Sequence, residues 1–248
     1  MFSFFLSFST YYIQTKVALF FSTLNKYVLA QECVIPSFSS RYIDASQVYG
    51  SSLDLAISLR NLTNDLGRLR EGLGYNYGKP LLPFNTRHFI DCRRDPRESN
   101  IGCFLTGDVR ANEQLGLISM HTLWFREHNR LAEGLKGLNP HWDGDKLFEE
   151  ARKIVGAQMQ AITYKHWLAL IIGDEGIKKM GVYRGYQANV DPSISNVFAA
   201  SAFRFGHTLL TPNIPGRDES GRNTTFLELR EASTPGCFCR RRLSSRTQ

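Results

Sequence analysis

Residues 112–137 read NEQLGLISMHTLWFREHNRLAEGLKG, and residues 143–172 read DGDKLFEEARKIVGAQMQAITYKHWLALII. In both, apolar side chains recur at intervals of three and four, the spacing that lines one face of a helix. Leu138-Asn139-Pro140 stops the first run. Asp143 stands at the N-cap of the second, acidic residues occupy its early turns, and Gly173 follows its end. These start and stop signals predict helices over 112–137 and 144–172.

On the N-terminal side, LDLAISLRNLTNDLGRL (53–69) has the same period and predicts another helix. Residues 67–83 then supply loop signals, GLGYNYGKPLLP at 72–83. On the C-terminal side, Asp191-Pro192 opens a last helical run, SISNVFAASAFRFGHTLL (193–210), which reaches Thr211-Pro212. No stretch alternates at period two long enough to build a sheet, and no internal repeat is present. The expected class is mainly α, with few or no strands.

The chain has 248 residues, 42% hydrophobic and 21% charged. That balance excludes collagen-like, disordered and wholly membrane-embedded chains. The net charge of +7 is concentrated at the end, where Arg240, Arg241, Arg242 and Arg246 lie, so it is no nucleic-acid footprint. Residues 1–36 form a Phe-, Leu- and Ser-rich leader whose apolar runs fall short of the roughly 18 residues of a membrane span. Met1–Tyr12 has the length of a signal-peptide core but no basic segment before it, and Val28-Leu29-Ala30 offers a cleavage site. The leader reads either as a signal or as a spurious N-terminus. Residues 231–248 read as a basic disordered tail, which leaves 37–230 as the folded domain. Cys92 and Cys103, eleven apart in a polar loop, suit a local disulfide if the chain is secreted. Cys237-Phe-Cys239 lies in the tail and does not read as a metal site.

Five segments carry a resemblance: YIDASQVYGSS (42–52), KPLLPF (79–84), CFLTGDVRANEQLGLISMHTLWFREHNRLA (103–132), NPHWDGDKLFEEARKIVGAQMQAITYKHWL (139–168) and FAASAFRFGHTLL (198–210). In order and spacing the sequence resembles the animal haem peroxidase (peroxidase–cyclooxygenase) superfamily, its peroxidasin branch most of all. The resemblance spans about 37–215 and covers part of a family domain. It implies an incomplete helical peroxidase domain that binds haem b and calcium.

By spacing alone His207 reads as a core histidine; the resemblance makes it the proximal ligand of the haem iron. Arg110 and Glu113 are three apart, a spacing that puts them on one face of a helix start and reads at first as a surface ion pair. The resemblance instead makes Arg110 the distal arginine, which stabilises charge developing on a peroxide oxygen. It makes Glu113 the carboxylate esterified to a haem methyl. Gln114 falls where some members carry a sulfonium-forming Met, and a Gln cannot make that bond. The oxygen donors of Ser40, Tyr42 (through its carbonyl), Asp44 and Ser46 match the family's calcium loop, and such donors suit a hard cation. His121 and His128 share a helix face but fall on a structural helix of the family. Asn61-Leu62-Thr63 and Asn223-Thr224-Thr225 are N-glycosylation sequons, meaningful for a secreted chain.

The resemblance implies reduction of hydrogen peroxide with oxidation of halide or phenolic donors, a role in the response to oxidative stress and an extracellular location, with no nucleic acid and no membrane span. The first histidine is His88. The family's distal His, its ester Asp and its calcium-binding Asp therefore have no counterpart here, nor do its C-terminal helices. The expectation is a chain of low peroxidase activity. The alternative is a non-catalytic secreted fragment that acts as a binding or oligomerisation partner, with itself or with a full-length family member.

Overall fold

The computed structural model describes residues 42–76, 78–88, 102–218 and 220–228. These residues fall in two compact units. One comprises the stretch ending at Ala45 together with Arg152–Leu210; the other comprises Ser46–Ala151 together with the stretch from Thr211. In chain order the elements are α1 (Ser46–Tyr49), α2 (Leu53–Leu59), β1 (Tyr75–Asn76), β2 (Lys79–Pro80), α3 (Leu115–Leu138) and α4 (Gly144–Ala161). A π-helical segment (Ile162–Trp167), α5 (Leu168–Met180), α6 (Asn196–Ala200), a 3-10 helix (Ala202–Leu209), β3 (Asn213–Arg217) and β4 (Asn223–Glu228) follow. The described fold is mainly helical, and its strands form two antiparallel hairpins, β1–β2 and β3–β4. The second hairpin pairs Asn213 with Glu228 and shifts register after Gly216.

The helix expected over 53–69 is corrected: it ends at Leu59. Ser52 caps its start, its Oγ accepting from the Leu55 N–H. Arg60 is already extended (φ −80°, ψ 145°). Beyond it, the polar side chains have better partners than a helix would give them. The Asn61 Oδ1 accepts from the Thr63 N–H at 3.0 Å, closing a local turn. The Asp65 carboxylate accepts from the Gly144 N–H at the start of α4. The chain then returns antiparallel, with Arg60 bridged to Leu69. Gly67 makes this return at φ 64°, and a Cβ there would lie 2.6 Å from Leu147 Cβ. Only glycine meets both conditions.

The helix expected over 144–172 begins as predicted, with the Asp143 Oδ1 accepting from the Lys146 N–H at 2.7 Å. It does not stop at Gly173. The ladder loosens to π geometry at Ile162–Trp167, where the Thr163 hydroxyl donates to the Met159 carbonyl at 2.8 Å. At Gly173 the backbone leaves helical space (φ 66°, ψ 176°), and helix resumes to Met180. The run expected over 193–210 is divided into α6 and the 3-10 helix by Ser201 (φ −121°, ψ −79°).

Each unit has its own core. In the unit holding Arg152–Leu210, Trp167, Leu168 and Phe203 pack with Ile171, Ile172, Phe198 and Phe205. In the other, Tyr49, Leu105, Leu147 and His128 are fully buried. Tyr49 meets Phe148 edge-on with ring centroids 5.6 Å apart. Burial of each such large side chain contributes about 1.5–3 kcal/mol. Asn129, also buried, completes the pairing of the extended chain: its Oδ1 accepts from the Leu69 N–H (2.8 Å) and its Nδ2 donates to the Leu69 carbonyl (3.2 Å).

Candidate functional site

Arg110 and Glu113 sit on the turn that leads into α3, where the backbone N–H of Glu113 donates to the Arg110 carbonyl at 3.0 Å. The expected helix start at 112 is corrected by the same turn. Asn112 is buried and clasps Phe104, accepting from its N–H and donating to its carbonyl at 2.8 Å each. Gln114 is the N-cap, its Oε1 accepting from the Gly116 N–H at 2.7 Å, so α3 begins at Leu115. At the other end of the turn, a Cβ on Gly107 would lie 2.5 Å from the Gln47 carbonyl oxygen in α1. The turn is thus pinned at both ends.

Between the pins, the Arg110 guanidinium is forked on Asp108. Nε donates to Oδ1 at 2.8 Å and Nη2 to Oδ2 at 2.7 Å, while the Arg110 backbone N–H donates to the same Oδ1 at 2.9 Å. Two parallel charge-assisted bonds fix the plane of the guanidinium as well as its position. Burial works to raise the Asp108 carboxyl, but the hydrogen bonds and charge of Arg110 outweigh it and hold the group below its usual range. The surface Arg110–Glu113 pair is not the contact that orients the arginine. Sequence reasoning missed Asp108; the acid two residues before Arg110 in a glycine-led turn, GDVR, was the signal available.

His121 on α3 lies within electrostatic reach of both charges. Its burial pushes its pKa down to about 4; the Asp108 charge and a hydrogen bond with the Gln47 backbone oppose that fall, and the Arg110 charge adds to it. Two turns further along the same face of α3, His128 is wholly buried. The Gly67 carbonyl can only accept, so the His128 Nε2 carries the proton and donates to it at 2.9 Å. Nδ1 then accepts from the Tyr49 hydroxyl at 2.9 Å. Burial pushes this pKa down to about 4 as well. Both rings are neutral members of the core. Among the described residues no group of three or more His, Cys, Asp or Glu side chains gathers to hold a metal ion.

The remaining expected site residues are dispersed along the chain. His207 lies on the 3-10 helix of the unit holding Arg152–Leu210, exposed, while Phe203 and Gly206 face that unit's core. It makes no side-chain hydrogen bond with another described residue, so a ring nitrogen is available to a ligand. Tyr42 and Asp44 are exposed and alternate with buried Ile43 and Ala45. Ser46 opens α1, its carbonyl accepting from the Gly50 N–H at 2.7 Å. Ser40, Cys92, Cys237 and Cys239, the leader and the basic tail lie outside the described residues. Cys103 is disulfide-bonded. No helix among the described residues is long and apolar enough to cross a membrane.

The sequence profile of the animal haem peroxidase family matches residues 36–236. A peroxidasin homolog of Mus musculus is 59% identical over 179 residues, which cover 72% of this chain and 12% of that protein. Peroxidasin of Drosophila melanogaster is 56% identical over 69% of this chain and 11% of its own length. Eosinophil peroxidase of Mus musculus is 53% identical over 69% of this chain and 24% of its own length. The chain thus spans about an eighth of the length of the peroxidasins it matches. Among solved structures, peroxidase A from Dictyostelium discoideum superposes with a TM-score of 0.67 at 31% identity, covering 81% of this chain and 38% of that one. Fatty acid α-dioxygenase from Oryza sativa, at 17% identity and a TM-score of 0.56, shares the fold over 81% of this chain and 36% of that one. The chain belongs to the animal haem peroxidase family.

Proposed function

We propose that this chain contributes to a haem-dependent peroxidase that reduces hydrogen peroxide and oxidises halide or phenolic donors outside the cell. The observation that carries the reading is the Arg110 guanidinium, fixed by a two-bond fork on Asp108 in a turn pinned by Gly107 and Asn112. A cation held this way needs no reorganisation to stabilise charge that develops on an oxygen. The donor set also fits a haem in its chemistry: an exposed imidazole with an available nitrogen at His207, a half-buried carboxylate at Glu113 and a fixed cation at Arg110.

In this reading His207 would hold the haem iron through one ring nitrogen, as histidine commonly does. Glu113 would offer its carboxylate to hold the haem, and Asp108 keeps Arg110 in place. Bound haem supplies the redox chemistry itself. Tyr42, Asp44 and Ser46 offer oxygen donors for calcium, together with Ser40. The disulfide at Cys103 supports an oxidising, extracellular setting.

The test is peroxide-dependent oxidation of a phenolic donor by the haem-loaded full chain and its Arg110→Gln variant. Loss of one preorganised donor to a developing oxyanion costs about 10²–10³-fold in rate. A fall of that order is expected; unchanged turnover would remove Arg110 from the chemistry.

A second reading, a non-catalytic partner that associates with itself or with a full-length relative, draws on the exposed Val182, Tyr183 and Tyr186 that follow α5. Sedimentation of the full chain, alone and mixed with a full-length relative, separates the two readings, since a chain that stays monomeric in both contradicts the second.

A further inference from the structure

The chain that folds back after α2 gathers three arginines around one groove. Arg60 is bridged to Leu69, the Asn61 N–H donates to the Arg68 carbonyl at 2.9 Å, and the Arg70 N–H donates to the Leu59 carbonyl at 2.8 Å. Arg68 and Arg70 flank buried Leu69, so the alternation of an extended chain sends both side chains to the side opposite Leu69. With Arg60 and Asn61 they line an open groove of about 460 Å³, to which exposed Ile57 and Leu62 add an apolar wall. Asn61 and Glu71 direct acceptor oxygens to neighbours, whereas donors of the groove are left without acceptors. The Asn61 Oδ1 accepts from the Thr63 N–H at 3.0 Å and from the Thr63 hydroxyl at 2.7 Å, while its Nδ2 makes no hydrogen bond with another described residue. The Glu71 Oε1 pairs with the Arg68 Nη2 at 2.9 Å and accepts from the Asn129 Nδ2 of α3 at 3.3 Å. The Arg68 Nε is buried and has no acceptor among the described residues. The Arg70 guanidinium makes no ion pair or hydrogen bond with another described residue. Arg60 is held by Asp145 and by the Phe148 ring, whose centroid lies 4.2 Å from the guanidinium carbon.

We propose that this groove binds a phosphate monoester of small-molecule size, its phosphate taken by Arg68, Arg70 and Asn61 and its organic group laid on Ile57 and Leu62. The proposal rests on neither the haem nor the extracellular reading. A guanidinium presents planar N–H donors that match phosphate oxygens in pairs. Three arginines against the one carboxylate of Glu71 leave the lining with an excess of positive charge. A phosphate monoester answers it with a charge of about −1.5 to −2 at neutral pH and three acceptor oxygens. A carboxylate or a sulfate ester brings a single charge and meets less of this demand. A buried donor without a partner is costly, so a phosphate oxygen that reaches the Arg68 Nε removes a cost that the chain otherwise carries. Glu71, tied to α3 through Asn129, holds Arg68 in place, and Arg60 adds charge rather than a free fork. The volume of the groove suits a small molecule.

The experiment is isothermal titration calorimetry of the full 248-residue chain with phenyl phosphate, near neutral pH in a low-salt buffer free of phosphate. Saturable binding of one equivalent is expected. Arg70→Gln should weaken it by about tenfold or more, the loss of a charge-assisted contact, and Arg68→Gln should do the same. Arg70 is exposed and its side chain has no partner among the described residues, so its substitution leaves the fold intact. Arg130→Gln, which removes an exposed arginine of α3, should leave binding unchanged. Inorganic phosphate should bind more weakly because it has nothing to lay on Ile57 and Leu62, and phenyl sulfate more weakly because it carries a single charge. No binding of phenyl phosphate by the folded chain overturns the proposal. Binding that Arg70→Gln leaves intact, or that Arg130→Gln weakens equally, overturns it too. Equal affinity for inorganic phosphate refutes the ester, and equal affinity for phenyl sulfate refutes the demand for a doubly charged group. Binding of heparin without binding of phenyl phosphate would make the arginines part of a polyanion surface and would also overturn it.

Discussion

Acidification should destabilise this protein through two buried histidines of α3. His121 and His128 are buried with pKa values pushed down to about 4, against an ordinary 6.5 in the unfolded chain. Between these values the unfolded state binds protons that the folded state refuses, so stability is present above pH 6.5 and is lost as the pH falls towards 4. The limiting slope is about 1.4 kcal/mol per pH unit for each ring. From pH 7 to pH 5 the loss is about 2 kcal/mol per histidine and about 4 kcal/mol for the pair. That is a large part of an ordinary domain stability of about 5–15 kcal/mol. Asp108, held below its ordinary 3.8, titrates beneath this window and adds nothing to it. Urea unfolding of the full chain at pH 7, 6 and 5 measures the slope. His128→Gln keeps a donor for the Gly67 carbonyl and an acceptor for the Tyr49 hydroxyl but cannot take up a proton. It should remove about half of the loss, roughly 2 kcal/mol, whatever it costs at pH 7. A midpoint that does not move between pH 7 and 5, or a His128→Gln variant with the full slope, refutes the reasoning.

Two further perturbations probe the packing around the same helix. Gly67→Ala places a Cβ 2.6 Å from Leu147 Cβ at φ 64°, and strain with overpacking should cost about 3 kcal/mol, read as a fall in the urea midpoint. Asn129→Leu leaves the buried N–H and carbonyl of Leu69 without partners and should cost about 2–5 kcal/mol, well beyond a surface change on α3.

The long helices were legible because each carries its own evidence. The apolar period ran through 112–137 and 144–172, and Asp143 caps its helix as its position suggested. What the period could not show was competition from distant partners. Asp65 accepts from Gly144, which is 79 residues away, and so the second half of the 53–69 run folds back as a bridged loop. Gly173 was legible as a break in helical geometry but not as a break after which the helix resumes, because packing of Ile172 and Ile177 on Trp167 and Leu168 decides that. The site divides in the same way. Arg110, Glu113 and His207 were named through resemblance, since no spacing rule singles them out. Asp108 was not named, because a fork between residues two apart exists only once the turn is formed. His121 and His128 share a helix face, as their spacing of seven requires, yet burial beside Asp108 and Tyr49 makes them core groups rather than ligands.

The central claim is that this chain holds a haem through His207. The measurement is the visible absorbance spectrum of the purified, haem-supplied full chain beside that of His207→Ala. His207 is exposed and its side chain has no hydrogen bond to lose among the described residues, so the substitution leaves the packing of Phe203 intact. The account predicts a Soret band that shifts on addition of hydrogen peroxide and is lost in the variant. A soluble, helical wild-type chain with no Soret band, or a band of equal strength in His207→Ala, would contradict it.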